Sequence, residues 1–315
     1  MLRASDSGRA AMSIAYLISA YRQPALLRRL VERLSGDGAS ILIHLDAKID
    51  AERYFLGMRD VLARPEVHLV PATRCDWGRF GHVQASLNGI RLALERRVPF
   101  EHLVLLTGQD YPIKPVSTLR EHLAGHPGSC FLEYHRLPRP GWPQDGGLER
   151  MQRRSVTALG RRWRFPNRVI PLPPKRRIPL GLVPYQGSSY WWLSRACVEH
   201  VSDFVADHPE YVRFFRSAFA PDESFFHMIV LNSRFAEVVV DDDLRFAEWE
   251  PHALHPATLT EGHFEALRAS AALVARKFDL EVAPRLLDRV DRELLKHAPP
   301  DSEPVGPPPE QTPRG

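Results

Sequence analysis

Apolar runs and helix-spaced stretches alternate from the start of the chain. "MSIAYLISAY" is apolar at almost every position and reads as a strand buried on both faces. In "QPALLRRLVERL", Leu26, Leu27, Leu30, Val31 and Leu34 keep the spacing of one helix face. "ASILIHLD" predicts a second strand ending in Asp46, and "VHLVPA" a third. "HVQASLNGIRLALERR" predicts a helix with Val83, Leu87, Ile90, Leu92 and Leu94 on its apolar side. "FEHLVLLTGQD" is a fourth strand, followed by a short helix through Leu119 and Leu123. Strands alternating with helices predict an α/β fold, a Rossmann-type, mostly parallel sheet covered on both faces. Ligands of such sheets sit beyond the carboxyl ends of the strands, where Asp46, Thr107 and Asp110 fall.

The second half is less regular. "CFLEYH" predicts one strand, and the Arg/Pro-rich residues 136–184 a long flap. "GSSYWWLSRACVEHVSDFVADH" predicts a strand and then a helix with Ser194 as its cap. Trp191 and Trp192 then point to opposite faces, one to the core and the other free to stack on a sugar or base. "FAEVVVDDDLRFAEW" predicts a strand running into acids, and "TLTEGHFEALRASAALVARKF" a helix with Lys277 near its end. Residues 12–295 are expected to form a single domain, between a disordered N-terminus (1–11) and a disordered Pro-rich tail (296–315).

Composition changes this picture little, with 44% hydrophobic and 25% charged residues over 315 positions. Cys75, Cys130 and Cys197 form no CxxC pair, which argues against a disulfide framework or structural zinc and for a reducing cytoplasm. The apolar stretch Ile14 to Ile18 is too short for a membrane span, so neither export nor an anchor is expected. Charge changes it more. Net charge is +4, but Arg136 to Arg177 hold twelve Arg or Lys against Asp145 and Glu149, so the remainder is net negative. One basic patch of that kind attracts nucleic acid, anionic lipid or phosphorylated ligands, or is a solvated loop.

The chain has no GxGxxG after its first strand, and no GxxxxGK[ST], GxSxG or HExxH. Asp241 and Asp243 form an Asp-x-Asp that reads either as turn acids or as ligands for a divalent cation. His44 reads as a strand residue satisfied by its neighbours. In "SAFAPDESFFHMIV", Pro221 suits the first helical position, and Asp222 and Glu223 complement the helix dipole. Lys277 reads locally as a helix C-terminal cation or as a point charge for a phosphate.

Taken together, "ILIHLDAKID", "DWGRFGHVQASLNGIRLAL", "LVLLTGQDYPIKP", "YQGSSYWWLSRACVEHV", "APDESFFHMIV", "DDDLRFAEW" and "LVARKFD" resemble the core 2/I-branching β-1,6-N-acetylglucosaminyltransferase family. That family includes the peptide O-xylosyltransferases, and the resemblance is to its bacterial branch. It implies a GT-A-like fold and an inverting transfer of GlcNAc or xylose from UDP to a hydroxyl, with no cofactor and no metal. The acceptor would be a glycan, glycolipid or peptide. Glu223 would be the catalytic base, Lys277 and Arg245 would contact the diphosphate, and Asp46 would lie near the nucleoside. Glu133, Asp110, Ser188, Tyr190 and Trp191 would contact acceptor or donor sugar. No nucleic-acid partner is expected. The location would be cytoplasmic, with peripheral contact to the inner membrane face through the basic flap. The rivals are a Mn-dependent transferase using Asp241 and Asp243, and a basic polyanion-binding module.

Overall fold

The computed structural model describes residues 12–36, 38–154, 175–250, 253 and 255–297. The expectations for residues 1–11, for nearly all of the Pro-rich tail and for the middle of the flap lie outside them. The first four strands are β1 (Ile14–Ala20), β2 (Ala39–Asp46), β3 (Val67–Thr73) and β4 (His102–Thr107). They pair in parallel in the order β4-β1-β2-β3. The same sheet continues past β4 through three short strands. These are β9 (Trp192–Ser194), antiparallel to β4, then β6 (Cys130–Phe131) and β10 (Val239–Val240).

Side chains alternate across β1. Tyr16 and Ile18 enter one core with the helix Pro24–Leu34, while Ala15 and Leu17 enter the other with the helix Gly81–Glu95. That second helix lies so close to β1 that a Cβ on Gly89 would come within 2.5 Å of the Leu17 methyls.

Two small sheets complete the fold. One joins β11 (Arg245–Ala247), β12 (Val274–Arg276) and β5 (Tyr111–Pro112), and the other is a ladder of β7 (Tyr134–Arg136) with β8 (Tyr185–Gly187). A Cβ on Gly187 would overlap the Glu133 carbonyl oxygen across that ladder. Gly187→Ala is expected to destabilise the fold by about 1–3 kcal/mol, as overpacking does. Chemical denaturation measures this, and an unchanged midpoint contradicts it.

Several elements differ from expectation. "CFLEYH" is two strands in different sheets, because the strand is interrupted at Leu132–Glu133 between β6 and β7. Arg234–Val238 is a helical turn, and only two residues of "VVV" pair as strand. The helix expected through Lys277 stops at Ala269. Residues 274–276 are strand instead, with Val274 and Ala275 fully buried between two pairing partners, so tertiary pairing overrides the alanine-rich spacing. Ser194 stands at the start of the helix Arg195–Asp207 but makes no side-chain cap bond. Among the described residues, no helix is long and apolar enough to cross a membrane.

Candidate active site

Beyond the carboxyl ends of β1, β2 and β4 lies a cavity of about 960 Å³. Asp46, Glu133, Ser188, Tyr190, Glu223 and Arg245, six of the residues singled out in the sequence, line it together.

Glu223 ends a single helical turn, Pro221–Glu223, which abuts the helix Phe225–Leu231 with all seven of its residues buried. Two donors converge on its Oε2: the Arg150 guanidinium at 2.7 Å and the Gln186 side-chain amide at 2.9 Å. No described residue hydrogen-bonds Oε1. Burial pushes the carboxyl above the ordinary glutamate value, against the opposing pull of Arg150, while the neighbouring Asp222 adds to the rise. The result is a carboxylate held by one oxygen, with the other oxygen available as a base.

The cationic side of the cavity is built on β11 and β12. Arg245 lies 3.1 Å from Asp110 and 3.5 Å from Asp243, and donates to the Leu105 carbonyl at 3.1 Å. Its guanidinium lies 3.8 Å from the centre of the Tyr190 ring, and Arg276 lies 4.6 Å from the same ring. Asp110 is fully buried behind this wall, so it positions Arg245 rather than meeting a ligand. Trp191 is also fully buried, packed 5.3 Å from Phe226, and Trp192 donates its indole N–H to the Asp243 carbonyl. The expected sugar-stacking tryptophan is therefore core on both counts, because both faces of β9 are covered.

Asp46, at the end of β2, accepts from the Lys48 backbone N–H at 3.0 Å and lies 3.3 Å from the Lys48 ammonium. His44 is satisfied as expected: it accepts from the Thr73 N–H at 3.0 Å, and burial pulls its pKa down to about 4. The Asp-x-Asp pair is divided. Asp241 accepts from the Tyr134 N–H at 2.8 Å, whereas Asp243 accepts from the Ser188 hydroxyl at 2.6 Å. Among the described residues, no group of three His, Cys, Asp or Glu is placed to hold a metal ion.

Residues 14–269 match the sequence profile of the Core-2/I-Branching enzyme family. The chain belongs to that family. Its mostly parallel sheet between helix layers is the GT-A-like architecture that the resemblance implied. The chain is 29% identical to mouse xylosyltransferase 1 over 175 residues, 55% of this chain and 17% of the relative. It is 27% identical to human xylosyltransferase 2 over 248 residues, 75% of this chain and 26% of the relative. The chain thus spans about a quarter or less of these relatives. Among solved structures it is similar to mouse xyloside xylosyltransferase 1, at 11% identity and a TM-score of 0.37, covering 84% of this chain and 96% of that one. It is similar also to residues 1–349 of S. aureus TarS in complex with UDP, at 14% identity and a TM-score of 0.37, covering 81% and 63%.

The position of Lys277 in this family member differs from that of the other basic candidates. It is half-buried next to β12 and does not line the cavity, whereas its neighbour Arg276 does. Burial, then Arg276 and Arg22, lower its pKa. Arg276, Arg150 and Gln186 were not singled out from the sequence. Strand alternation through residues 274–276 was the only signal for Arg276, and it was masked by the helical spacing. Nothing local distinguishes Arg150 from the other arginines of its stretch.

Proposed function

We propose that this core-2/I-branching family member is an inverting glycosyltransferase that moves GlcNAc or xylose from a UDP-sugar to a hydroxyl, without a metal. One observation carries the reading: Glu223 and the pair Arg245 and Arg276 line one cavity. Glu223 Oε1 takes the proton of the acceptor hydroxyl as its oxygen attacks the anomeric carbon. The bond from that carbon to the pyrophosphate oxygen breaks, and UDP leaves with the electron pair. Fixed guanidiniums then stabilise the charge growing on the diphosphate, which is what a divalent cation does elsewhere. Xylose as donor draws support from the relatives named xylosyltransferase. A cytoplasmic location, with the basic stretch against the inner membrane face, belongs to the same proposal and is read by cell fractionation.

The test is a thermal-shift series with UDP, UDP-GlcNAc, UDP-xylose and UDP-GalNAc, with and without EDTA. Stabilisation by UDP and by one UDP-sugar that survives EDTA is expected, and its disappearance in EDTA moves the assignment to the Mn-dependent rival. Arg276→Ala should weaken UDP binding by about tenfold or more, the scale of one lost charge-assisted hydrogen bond. Lys277→Ala should cost less, because Lys277 stands off the cavity wall. The reverse order, measured by calorimetric titration, returns the diphosphate role to Lys277.

A further inference from the structure

The basic stretch from Arg136 to Arg177 is the sequence feature that donor binding and proton removal leave unexplained. Its only two acids are already engaged within it. Lys175 lies 2.6 Å from Asp145 and 3.7 Å from Glu149, and Arg153 lies 2.7 Å from Glu149. Arg176 is spent on the backbone, donating to the Met151 and Phe214 carbonyls at 2.6 and 2.7 Å and to the Ser217 hydroxyl at 3.0 Å. These contacts fasten the stretch to the body of the fold and leave two of its guanidiniums on the cavity wall. Arg150 meets Glu223. Arg139 forms no ion pair among the described residues, and residues 155–174 contain neither Asp nor Glu to supply one.

Arg139 is held in place all the same. Its guanidinium lies 4.8 Å from the centre of the Trp142 ring, which stands edge-on to His135 at 5.6 Å. His135 pairs across the β7–β8 ladder with Gln186, the residue that holds Glu223. A stacked guanidinium keeps its N–H edge free for a planar anion, and in a recessed cavity that contact is stronger than on open surface. The aromatic surface points to the same kind of ligand. The exposed large aromatics of the described residues are Tyr21 (46%), Trp77 (52%) and Trp249 (57%), and all three line this cavity. Flat rings rimming a cavity suit the apolar faces of sugar rings.

We propose that the acceptor is an acidic saccharide whose carboxylate or phosphate, close to the reacting hydroxyl, is bridged by Arg139 and Arg150. The proposal rests on the transferase reading only for the name acceptor. Bridging also serves the chemistry, because a guanidinium shared with the ligand's anion pulls less on Glu223 and leaves it a stronger base.

The test is binding without turnover. An oligogalacturonide of four units, its carboxyl-reduced counterpart and a glutamate decapeptide are titrated against the full chain and against Arg139→Gln and Arg139→Lys. Wild type should bind the uronide about tenfold or more tighter than the reduced sugar, the scale of a hydrogen-bonded charge. Arg139→Gln should lose that preference and Arg139→Lys keep part of it, with UDP stabilisation unchanged in all three. Equal binding of acidic and reduced sugars, or a preference that survives Arg139→Gln, overturns the proposal. Tighter binding of the decapeptide overturns the saccharide class. Should no UDP-sugar stabilise the protein while the uronide preference holds, the transferase reading fails and this one stands.

Discussion

Glu223→Gln is expected to lower transfer by about two to four orders of magnitude, the range for loss of a general base, while UDP binding stays intact. The amide keeps the shape of the carboxyl and can still accept from Arg150 and Gln186 through its oxygen. It cannot take a proton at the position of Oε1. Because burial holds the carboxyl above its ordinary value, the acidic limb of the rate profile should also lie above the usual glutamate range. The base works only when ionised, so the rate rises with pH through that limb and falls as the carboxyl protonates. Single-turnover rates and calorimetric UDP titration on the same variant check both parts. Near-normal turnover removes Glu223 from the chemistry, and lost UDP binding would mean that the substitution disturbed the wall rather than the proton.

Asp291→Ala should produce the largest loss of stability, about 3–5 kcal/mol, as when one partner of a buried ion pair is deleted. Asp291 is fully buried and accepts from Arg29 at 2.8 and 3.0 Å, from Arg33 at 2.8 and 2.9 Å, and from the Tyr111 hydroxyl at 2.8 Å. It ties the first helix, β5 and the turn Val290–Leu295 into one knot. Arg29 keeps Asp288 at 2.9 Å, which offsets part of the loss, whereas Arg33 loses both of its bonds to the carboxylate. Urea titration reads the change, and a loss below about 1 kcal/mol would show that water or rearrangement replaces the carboxylate.

The sheet was legible in the sequence where burial is two-sided and local. β1, β2 and β4 are continuous apolar runs, and the ends of β2 and β4 brought Asp46 and Thr107 to the rim that became the site. The proline and two acids at 221–223 likewise announced a helical turn. Legibility failed where pairing is distant. Residues 274–276 are strand because Arg245–Ala247 and Tyr111–Pro112 lie on either side of them, and no spacing within "AALVARKF" carries that fact. The helical reading of that segment hid the placement of Arg276 on the cavity wall. Trp191 failed for a similar reason: alternation separates the faces of a strand, but whether the second face is covered depends on helices elsewhere in the chain. Arg150 is the clearest limit, since its role comes from meeting a glutamate 73 positions away.

Tyr190 has an effect beyond its own contacts. With Arg245 at 3.8 Å and Arg276 at 4.6 Å from its ring centre, the phenol holds two like charges, which repel, close to a single side chain. A ligand carrying two linked negative groups can answer both guanidiniums at once, and a singly phosphorylated nucleoside can answer only one. Under the transferase proposal, one aromatic side chain thus favours a diphosphate over a monophosphate at this wall.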